Sequence, residues 1–576
     1  MTSPLGTSHS QTLSASTIEP RVATALLALS MFFTGASGFI FECVLSTVAT
    51  YILGNSIEQF SVTISLMLLM MGVAGYWQKR LSDRHLVEKF LAVEVLLAML
   101  GGFAPTAAYA AYATMENHFS LVQYFFVLAI GFLIGLEIPL VLRINRYYVP
   151  TLKSNIATVF SMDYIGSFIG ALVWVYFFLK YFPLTETSFF VAGVNFFVAV
   201  ITYLYFMRHR AVARPLVSLL MILLTAAALG YGYAQNRVWN LLLEQRFYDQ
   251  PIVYSKTTKY QHIVMTAGVS PVDYRLYING NLQLSSRDEH IYHEQLVHPA
   301  MRLAARRNRI LILGGGDGLA LREVLKHPDV EEVLLIDIDP DMIALARDDD
   351  VLNQLNQGAL ADARVVATGA SGVTSEMSTR PIYDYTETLP ESGTPVIKEA
   401  ARVSVYTVDA DKMVQRLSGL WDVILVDFPD PNSVELAKLY SREFYLKLRR
   451  ILSDGGIMAV QSTSPYHARE SFLCVRRTLD SAGYETIPYH DNVPSFGDWG
   501  WILAWHSPKA ARDVRNEIAQ LDDFGIPQDR LRYLTPEAFR SALTFGKGLL
   551  DSHSTEVNRL MHPVLLRFYL SESWQP

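Results

Sequence analysis

The sequence predicts two parts: an N-terminal polytopic α-helical membrane domain of about seven spans, and then an α/β Rossmann-like domain. Two observations predict this fold class. Seven long apolar segments lie in the first half of the 576 residues. In the second half, the apolar run Arg309–Leu313 breaks at three glycines and restarts with helical spacing. That pattern is typical of the first strand, turn and helix of a doubly wound nucleotide-binding sheet.

Composition excludes several other classes of protein. The net charge is −7 and no stretch is strongly basic, so nucleic acid is not expected as a partner. Cys43 and Cys474 are the only two cysteines, too few for a disulfide framework or a zinc site. We expect no metal ion and no permanently bound cofactor.

The apolar segments are the first element. We expect residues 1–20, rich in Ser and Thr, to be disordered, and residues 21–235 to form the membrane domain of a multi-pass cell-membrane protein. Most segments exceed the ~20 residues that cross a bilayer. They lie at 22–52, 57–77, 88–113, 119–142, 156–180, 187–206 and 213–233.

Four carboxylates lie within or near the ends of these segments, where an ionisable group costs ~2.5–3.5 kcal/mol at mid-membrane. They are Glu42, Glu94, Glu137 and Asp163. A cation path or sensor would explain them. We favour hydrogen bonds between protonated acids in a tightly packed bundle, because the pairs Gly131/Gly135 and Gly166/Gly170 would allow close helix packing.

The remaining elements follow in order. A small β domain is predicted over residues 236–300. Within it, apolar and polar residues alternate as in hairpin strands along Tyr260–Val264 and Tyr274–Gln283, with Asn279-Gly280 as a turn or bulge. A helix is expected to begin near Arg287. The Rossmann-like domain is predicted over 301–506, with a surface insertion at about 366–400, and 507–576 predicts a polar helical tail.

The turn Gly314–Asp317 is the centre of the predicted site. Its glycines allow close approach of a ligand to the backbone, and the following helix offers free N–H groups. The carboxylate of Asp317 would repel an anionic ligand and attract a cationic one. Asp337 ends the next strand about twenty residues later, where a carboxylate can hold a ribose diol, although it could merely cap the strand end.

Together these residues resemble the aminopropyltransferase (spermidine synthase) family, and specifically its membrane-anchored bacterial branch. The glycine turn with its aspartate, the Tyr-His-Glu motif and the paired aspartates make a specific combination. The resemblance is carried by Tyr260-Gln261, Asp288-Glu289, Tyr292-His293-Glu294, Gly314–Gly318, Asp337, Asp409-Ala410 and Asp427–Pro431, with a less diagnostic tail motif, Glu556–Leu560.

The resemblance implies transfer of an aminopropyl group from decarboxylated S-adenosylmethionine to a polyamine such as putrescine, giving spermidine and methylthioadenosine. It implies a methyltransferase-type sheet after the small β domain, and we expect a homo-oligomer, a dimer. The donor would be held by Gln261, His293, Gly314, Gly316, Asp317, Asp337, Asp409 and Ala410. The acceptor would be held by Tyr292, Asp427, Asp430 and Phe496.

The chemistry agrees with these roles. A primary amine, with a reference pKa near 10, must lose a proton before it attacks the carbon beside the sulfonium. Asp427, at the end of the buried strand that begins at Trp421, is placed to accept that proton, and Tyr292 can orient the nitrogen. The sulfonium leaves as a neutral thioether, so no acid and no metal are required.

One residue departs from the family pattern. Phe496 stands in a late loop where the family commonly has a tyrosine. This removes one hydroxyl from the amine site and leaves the identity of the acceptor open.

Two other functions compete. A methyltransferase would use intact S-adenosylmethionine, whose carboxylate would face Asp317. At ~4 Å and an effective dielectric of 20 that repulsion is about 4 kcal/mol, an upper figure worth up to ~10³-fold in affinity. The second alternative is a membrane polyamine transporter or sensor whose soluble half only binds. A binding module would not need both Asp427 and Tyr292.

Two arguments about which side of the membrane holds the catalytic half contradict each other. The positive-inside rule places three basic loops in the cytoplasm, and seven spans then put everything after Tyr233 outside, away from a cytoplasmic donor. We therefore expect a miscounted span and a cytoplasmic catalytic half. Either 22–52, interrupted by Gly35, Gly38 and Glu42, forms two half-crossings, or 213–233, with Pro215, Gly230 and Gly232, fails to span. The loops carry Lys79, Arg80, Arg84 and Lys89; Arg143, Arg146 and Lys153; and Arg208, Arg210 and Arg214.

Overall fold

The chain forms two compact units, Met1–Asp249 and Gln250–Pro576, in a computed structural model. The structure describes residues 18–53, 56–114, 118–149, 151–269, 272–362, 365–369, 402–506 and 513–572. Most of the stretch predicted to be disordered, and the predicted insertion beyond residue 369, lie outside the described residues.

The first unit is helical throughout its described elements. Its helices are α1 (Pro20–Leu53), α2 (Ser56–Trp77), α3 (Leu86–Thr114), α4 (Phe119–Asn145), α5 (Leu152–Val173), α6 (Leu179–Tyr181), α7 (Leu184–Arg208) and α8 (Pro215–Glu244). A π-helical turn, Trp174–Phe178, joins α5 to α6 in one apolar helix. In the part of the chain that the structure describes, seven helices are therefore long and apolar enough to cross a membrane.

The two half-crossings considered for 22–52 are not formed, because the first helix is continuous; whether 213–233 spans stays a prediction, although that helix too is continuous. Helix α1 runs unbroken through Gly35, Gly38 and Glu42, and α8 runs unbroken through Gly230 and Gly232. Gly35 is needed for packing, because a Cβ there would collide with the backbone oxygen of Asp163 on α5. Pro215 is the first residue of α8, where a missing N–H costs nothing. Helix α8 also continues beyond the expected boundary near residue 235.

Close helix packing through the two predicted glycine pairs is present. A Cβ on Gly131 would lie 2.9 Å from the Cα of Met67 on α2, and one on Gly170 would lie 2.9 Å from the Cα of Ala36 on α1. The acids only partly follow the expectation. Glu137 is hydrogen-bonded to Thr34 of α1, whereas neither buried oxygen of Glu94 has a partner among the described residues.

The second unit opens with a four-stranded antiparallel sheet in chain order. Its strands are β1 (Ile252–Thr257), β2 (His262–Val269), β3 (Val272–Ile278) and β4 (Asn281–Ser285). Asn279 and Gly280 connect β3 to β4 with φ of 51° and 80°. Two successive positive φ values define the tight turn that Asn-Gly favours, as the sequence predicts.

An eight-stranded sheet follows, in the order β11-β12-β10-β9-β5-β6-β8-β7. Its strands are β5 (Arg309–Gly314), β6 (Glu332–Asp337), β7 (Val365–Gly369), β8 (Arg402–Thr407), β9 (Trp421–Asp427), β10 (Leu452–Gln461), β11 (Glu485–Val493) and β12 (Gly497–Trp505). Strands β5 to β10 pair in parallel, and β11 and β12 are antiparallel. The sheet is Rossmann-like, so this part of the fold class is confirmed.

Helices flank this sheet. They are α9 (Glu289–Leu303), α10 (Leu319–Val324), α11 (Pro340–Asp348), α12 (Asp350–Leu355), α13 (Ala410–Arg416), α14 (Val434–Leu439), α15 (Arg442–Ile451), α16 (Arg469–Ser481), α17 (Val514–Ala519), α18 (Pro536–Ala542) and α19 (Val564–Glu572). The tail is less helical than expected. Only α17 to α19 occur in its described part, because prolines and glycines interrupt it.

Alternation along the strands creates two buried cores. Ile310 and Ile312 of β5 enter one hydrophobic cluster, and Leu311 and Leu313 enter the other. Successive strand residues point to opposite faces, so both faces of the sheet are covered. The carboxyl ends of the parallel strands therefore meet at one edge, where a ligand site is expected.

Candidate active site

A cavity of about 1000 Å³ lies at the carboxyl edge of the parallel strands. This volume is at the upper end of the ~300–1,000 Å³ range of small-molecule sites. Every residue predicted for the site lines the cavity. They are Gln261, Tyr292, His293, Gly314, Gly316, Asp317, Asp337, Asp409, Ala410, Asp427, Asp430 and Phe496.

The glycine turn is shaped by the carboxylates around it. Gly314 has a φ of 85°, and a Cβ on it would collide with the backbone oxygen of Asp427. A Cβ on Gly316 would lie 2.7 Å from Oδ2 of Asp337. The glycines therefore bring two strand-end aspartates against the turn, in addition to any approach of a ligand.

Asp337, beside the glycine turn, and Asp317, within it, have different hydrogen-bond partners. Asp337 accepts hydrogen bonds from the backbone N–H of Gly316 (3.0 Å) and of Asp339 (2.9 Å). Burial outweighs these bonds and raises the pKa of Asp337 to about 6. Asp317 accepts a hydrogen bond at 2.8 Å from the N–H of Leu319, the first residue of the six-residue helix α10, whose N-cap is Gly318. One carboxylate oxygen is thereby used in the fold, and the side chain still lines the cavity.

Asp409 caps helix α13 through the N–H groups of Asp411 (2.8 Å) and Lys412 (3.2 Å). The ammonium of Lys438 lies 3.4 Å from its Oδ2. Partial burial acts against ionisation, but these contacts outweigh it and lower the pKa of Asp409. Lys438 also lines the cavity, a cation that the sequence did not indicate.

Tyr292 and Asp427 form the central polar contact of the cavity. The phenol O–H donates to Oδ1 of Asp427 at 2.6 Å, and the Tyr292 side chain is buried. Burial raises the pKa of Asp427 to about 6, and the nearby charge of Asp317 adds to that rise, while the charge of His293 and the tyrosine bond oppose it. A carboxyl group with this pKa is ionised at neutral pH and can accept a proton.

His293 is held by a buried ionic cluster. Its Nδ1 donates to the Glu289 carbonyl (2.7 Å) and carboxylate (3.0 Å), and Arg322 binds both oxygens of that carboxylate at 2.8 and 2.9 Å. Burial alone would lower the pKa of His293, but the bond to Glu289 outweighs it and raises the pKa to about 9. The imidazolium therefore sits at a fixed position in the cavity wall.

Asp430 has two neutral donors. Nε2 of Gln461, at the end of β10, donates to its Oδ1 at 3.0 Å, and the phenol of Tyr569 donates to its Oδ2 at 2.9 Å. Burial raises the pKa of Asp430 to about 6 despite these bonds. Neither donor was predicted from the sequence. Gln461 could have been found, because it is the polar residue that follows an apolar strand at the same sheet edge.

Phe496 lies in an aromatic wall of the cavity. Its ring centroid is 6.1 Å from that of Tyr292 and 5.1 Å from that of Trp499. The preceding residue, Ser495, donates its N–H (2.7 Å) and its hydroxyl (2.8 Å) to the buried carboxylate of Asp288. Asp288 of the sequence motif therefore anchors the loop that carries Phe496.

Comparison with known proteins agrees with this description. The family described as the spermine/spermidine synthase domain matches residues 289–388 and 384–516. Polyamine aminopropyltransferase 1 of Streptomyces coelicolor is 36% identical over 567 residues, covering 96% of this chain and 96% of that protein. A polyamine aminopropyltransferase of Leptospira interrogans is 33% identical over 544 residues, covering 94% and 97%. A spermidine synthase solved with the transition state analogue AdoDATO has a TM-score of 0.41 and 23% identity, covering 52% of this chain and 88% of that one.

The fold and these matches define the class of protein: a group-transfer enzyme with a Rossmann-like domain. More narrowly, the chain belongs to the polyamine aminopropyltransferase (spermidine synthase) family. It transfers an aminopropyl group, and the donor of the family is decarboxylated S-adenosylmethionine. The family therefore decides against the methyltransferase and against a soluble half that only binds.

Proposed function

We propose that Asp427 is the general base of this transfer and that Tyr292 orients the attacking amine. The 2.6 Å contact between the Tyr292 hydroxyl and the Asp427 carboxylate is the observation that carries this assignment. A Cβ on Gly315 would lie 3.2 Å from Oδ2 of Asp427, so the base directly adjoins the glycine turn. An amine deprotonated by Asp427 would then be next to a donor lying on that turn.

The donor is assigned to the half of the cavity around the glycine turn. Asp337 is proposed to hold the ribose diol, and Asp317 the ammonium of the decarboxylated donor. The other residues assigned to the donor line the same cavity, and they are Gln261, His293, Gly314, Gly316, Asp409 and Ala410. The Nδ1 of His293 is bound to Glu289, which fixes the orientation of its ring.

The acceptor is proposed to be a diamine such as putrescine, with spermidine and methylthioadenosine as products. Asp427 would receive the proton of the attacking nitrogen, and Asp430 would hold an ammonium. Phe496 borders this half with an apolar face. Two half-buried carboxylates beside an aromatic wall suit a short apolar chain with an amine at each end.

A panel of amines tests this acceptor. Purified wild-type protein, decarboxylated donor and diamines of three to six carbons should give mass-spectrometric products that are one aminopropyl group heavier. A monoamine of equal length should react with at least about 10-fold lower kcat/KM, because it leaves Asp430 unpaired. Equal kcat/KM for monoamine and diamine would contradict the role of Asp430.

We further propose that residues 1–249 anchor the enzyme in the cell membrane as a dimer, with the catalytic unit on the cytoplasmic side. The seven apolar helices support the anchor. Supply of the donor supports the cytoplasmic side. The basic loops oppose the cytoplasmic side. If they lie in the cytoplasm and all seven unbroken helices span, the catalytic unit lies outside.

A further inference from the structure

The C-terminal segment 556–572 packs on the catalytic unit through a fully buried residue, Asn558. Its Nδ2 donates to the carbonyl of Ala437 on α14 at 2.8 Å, and its own carbonyl accepts from the N–H of Arg442 at 2.9 Å. Its backbone N–H donates to the hydroxyl of Thr478 at 3.0 Å. The backbone and the side chain of Asn558 thus both fix the segment against helices that follow the catalytic strands.

This anchored segment reaches the cavity. Arg559, Leu560, Pro563 and Tyr569 all line it, on the side of Asp430 and α14. Tyr569, on α19, is the buried member of the four, with 6% of its surface exposed. The acceptor half of the cavity is therefore completed by residues from the end of the chain.

Tyr569 contacts the reaction site through Asp430. Its hydroxyl donates to Oδ2 of Asp430 at 2.9 Å, opposite the Gln461 amide on Oδ1. Both donors are neutral, so they orient the carboxylate without compensating its charge. That charge remains available to an ammonium, and a rigid carboxylate binds it with less loss of entropy than a mobile one.

The same half of the cavity has Phe496 in place of a hydroxyl-bearing side chain. The Phe496 ring has no donor, and its contacts with Tyr292 and Trp499 are aromatic. Tyr569 of α19 therefore brings a phenol into the acceptor half, where Phe496 of the late loop presents a hydrocarbon face.

We propose that Tyr569 is a specificity-determining residue for the acceptor amine, which it selects by positioning the carboxylate of Asp430. This inference rests on the proposed function, in which Asp430 holds an ammonium of the acceptor. Tyr569 touches Asp430, and its effect on the reaction is exerted through that carboxylate.

Tyr569→Phe tests the inference, because it removes the hydroxyl and keeps the ring. The KM for the diamine should rise on the order of 10-fold, with the KM for the donor unchanged and the preference for diamine over monoamine reduced. Tyr533→Phe is the matched control. This variant also removes a phenol hydroxyl that donates to an aspartate, because Tyr533 donates to Asp491 at 2.9 Å. Tyr533 and Asp491 both lie outside the cavity lining. Its acceptor KM should equal that of the wild type.

A double-mutant cycle separates positioning from a purely structural role. In the Asp430→Asn background, Tyr569→Phe should have no further effect on the acceptor KM, because the carboxylate it positions is gone. Independent effects in the cycle, or an unchanged acceptor KM in Tyr569→Phe, overturn the inference while the wild type remains active. A wild type that transfers to no amine overturns the proposed function, and the inference with it.

Discussion

Burial is the main cause of the unusual acidities at the residue scale. Asp337, Asp427 and Asp430 each have a pKa of about 6, because each carboxylate is removed from water at the sheet edge. A raised carboxyl pKa means that the ionised form predominates only above that pH. The site is thus built to titrate just below neutrality.

This titration predicts the acid limb of the pH profile. The kcat/KM for the acceptor requires a free amine, an ionised Asp427 as the base and an ionised Asp430 to hold the ammonium. Log kcat/KM should therefore rise with pH above about 6 because of the amine alone, and should steepen below about 6 as the two carboxylates are protonated. An unchanged slope between pH 5 and 7.5 would contradict the assigned base.

Asp317 is predicted to discriminate between donors by charge. Asp317→Asn should weaken the decarboxylated donor and narrow its advantage over intact S-adenosylmethionine, because both the attraction and the repulsion are lost. The Oδ1 of asparagine can still accept the N–H of Leu319, so the fold should persist. Titration calorimetry measures the affinities of the wild type and of the variant for each of the two donors.

The control for Asp317 is Asp349→Asn. Asp349 also accepts backbone N–H groups at the start of a helix, from Val351 (3.0 Å) and Leu352 (3.1 Å) of α12, and it lies outside the cavity lining. Its donor preference should equal that of the wild type. A preference in Asp317→Asn as strong as in the wild type would disprove the charge argument.

Single residues also mark how far sequence could predict the site. Asp427, Tyr292 and Asp337 could be found from local motifs, because each lies next to an apolar run or in a short signature. Tyr569 could not, because it is 139 positions from Asp430 and only packing of the tail brings them together. Asp317 was expected to face a ligand, and the structure adds that it accepts the N–H of Leu319 at the start of α10.

At the scale of elements, the strands were predictable and glycine-containing helices were not. Strands β5, β6 and β9 coincide with apolar runs bounded by polar residues, and the β3–β4 turn is formed by the Asn-Gly pair. In α1 the glycines suggested a break. A sequence cannot distinguish a glycine that ends a helix from one that admits a neighbouring helix, and here Gly35 does the latter.

Helix packing in the first unit gives a stability prediction. Gly166→Leu should lower the melting temperature of the detergent-purified protein or abolish its folding, because the new side chain would collide with the backbone of Phe32 on α1. Gly193→Leu is the matched control, since nothing lies within 4 Å of the position of its Cβ. Equal melting temperatures for the two variants would show that α1 and α5 do not pack through Gly166.

At the scale of the whole molecule, the helical unit belongs to the family architecture. The Streptomyces coelicolor relative matches over 96% of both chains, so the match includes the apolar helices as well as the catalytic unit. The order of the two parts was predictable from hydropathy. Their exact boundary was not, because α8 continues into a less apolar stretch ending at Glu244.

Sidedness is the whole-molecule property on which two physical arguments conflict. A reporter fused after Pro576 decides between them. With a cytoplasmic catalytic unit, a cytoplasmic fluorescent reporter should be active and alkaline phosphatase inactive. Phosphatase activity without fluorescence would place the unit outside, as the basic loops and seven unbroken helices require.

The assignment of the catalytic centre is tested most directly by the turnover of purified, full-length Asp427→Asn protein. With decarboxylated donor and diamine, wild-type protein should release methylthioadenosine and the aminopropylated amine in equal amounts. Asp427→Asn should do so about 10²–10⁴-fold more slowly, the usual contribution of a general base, while binding the donor with unchanged affinity in calorimetry. Turnover at the wild-type rate, or loss of donor binding in this variant, would contradict the account.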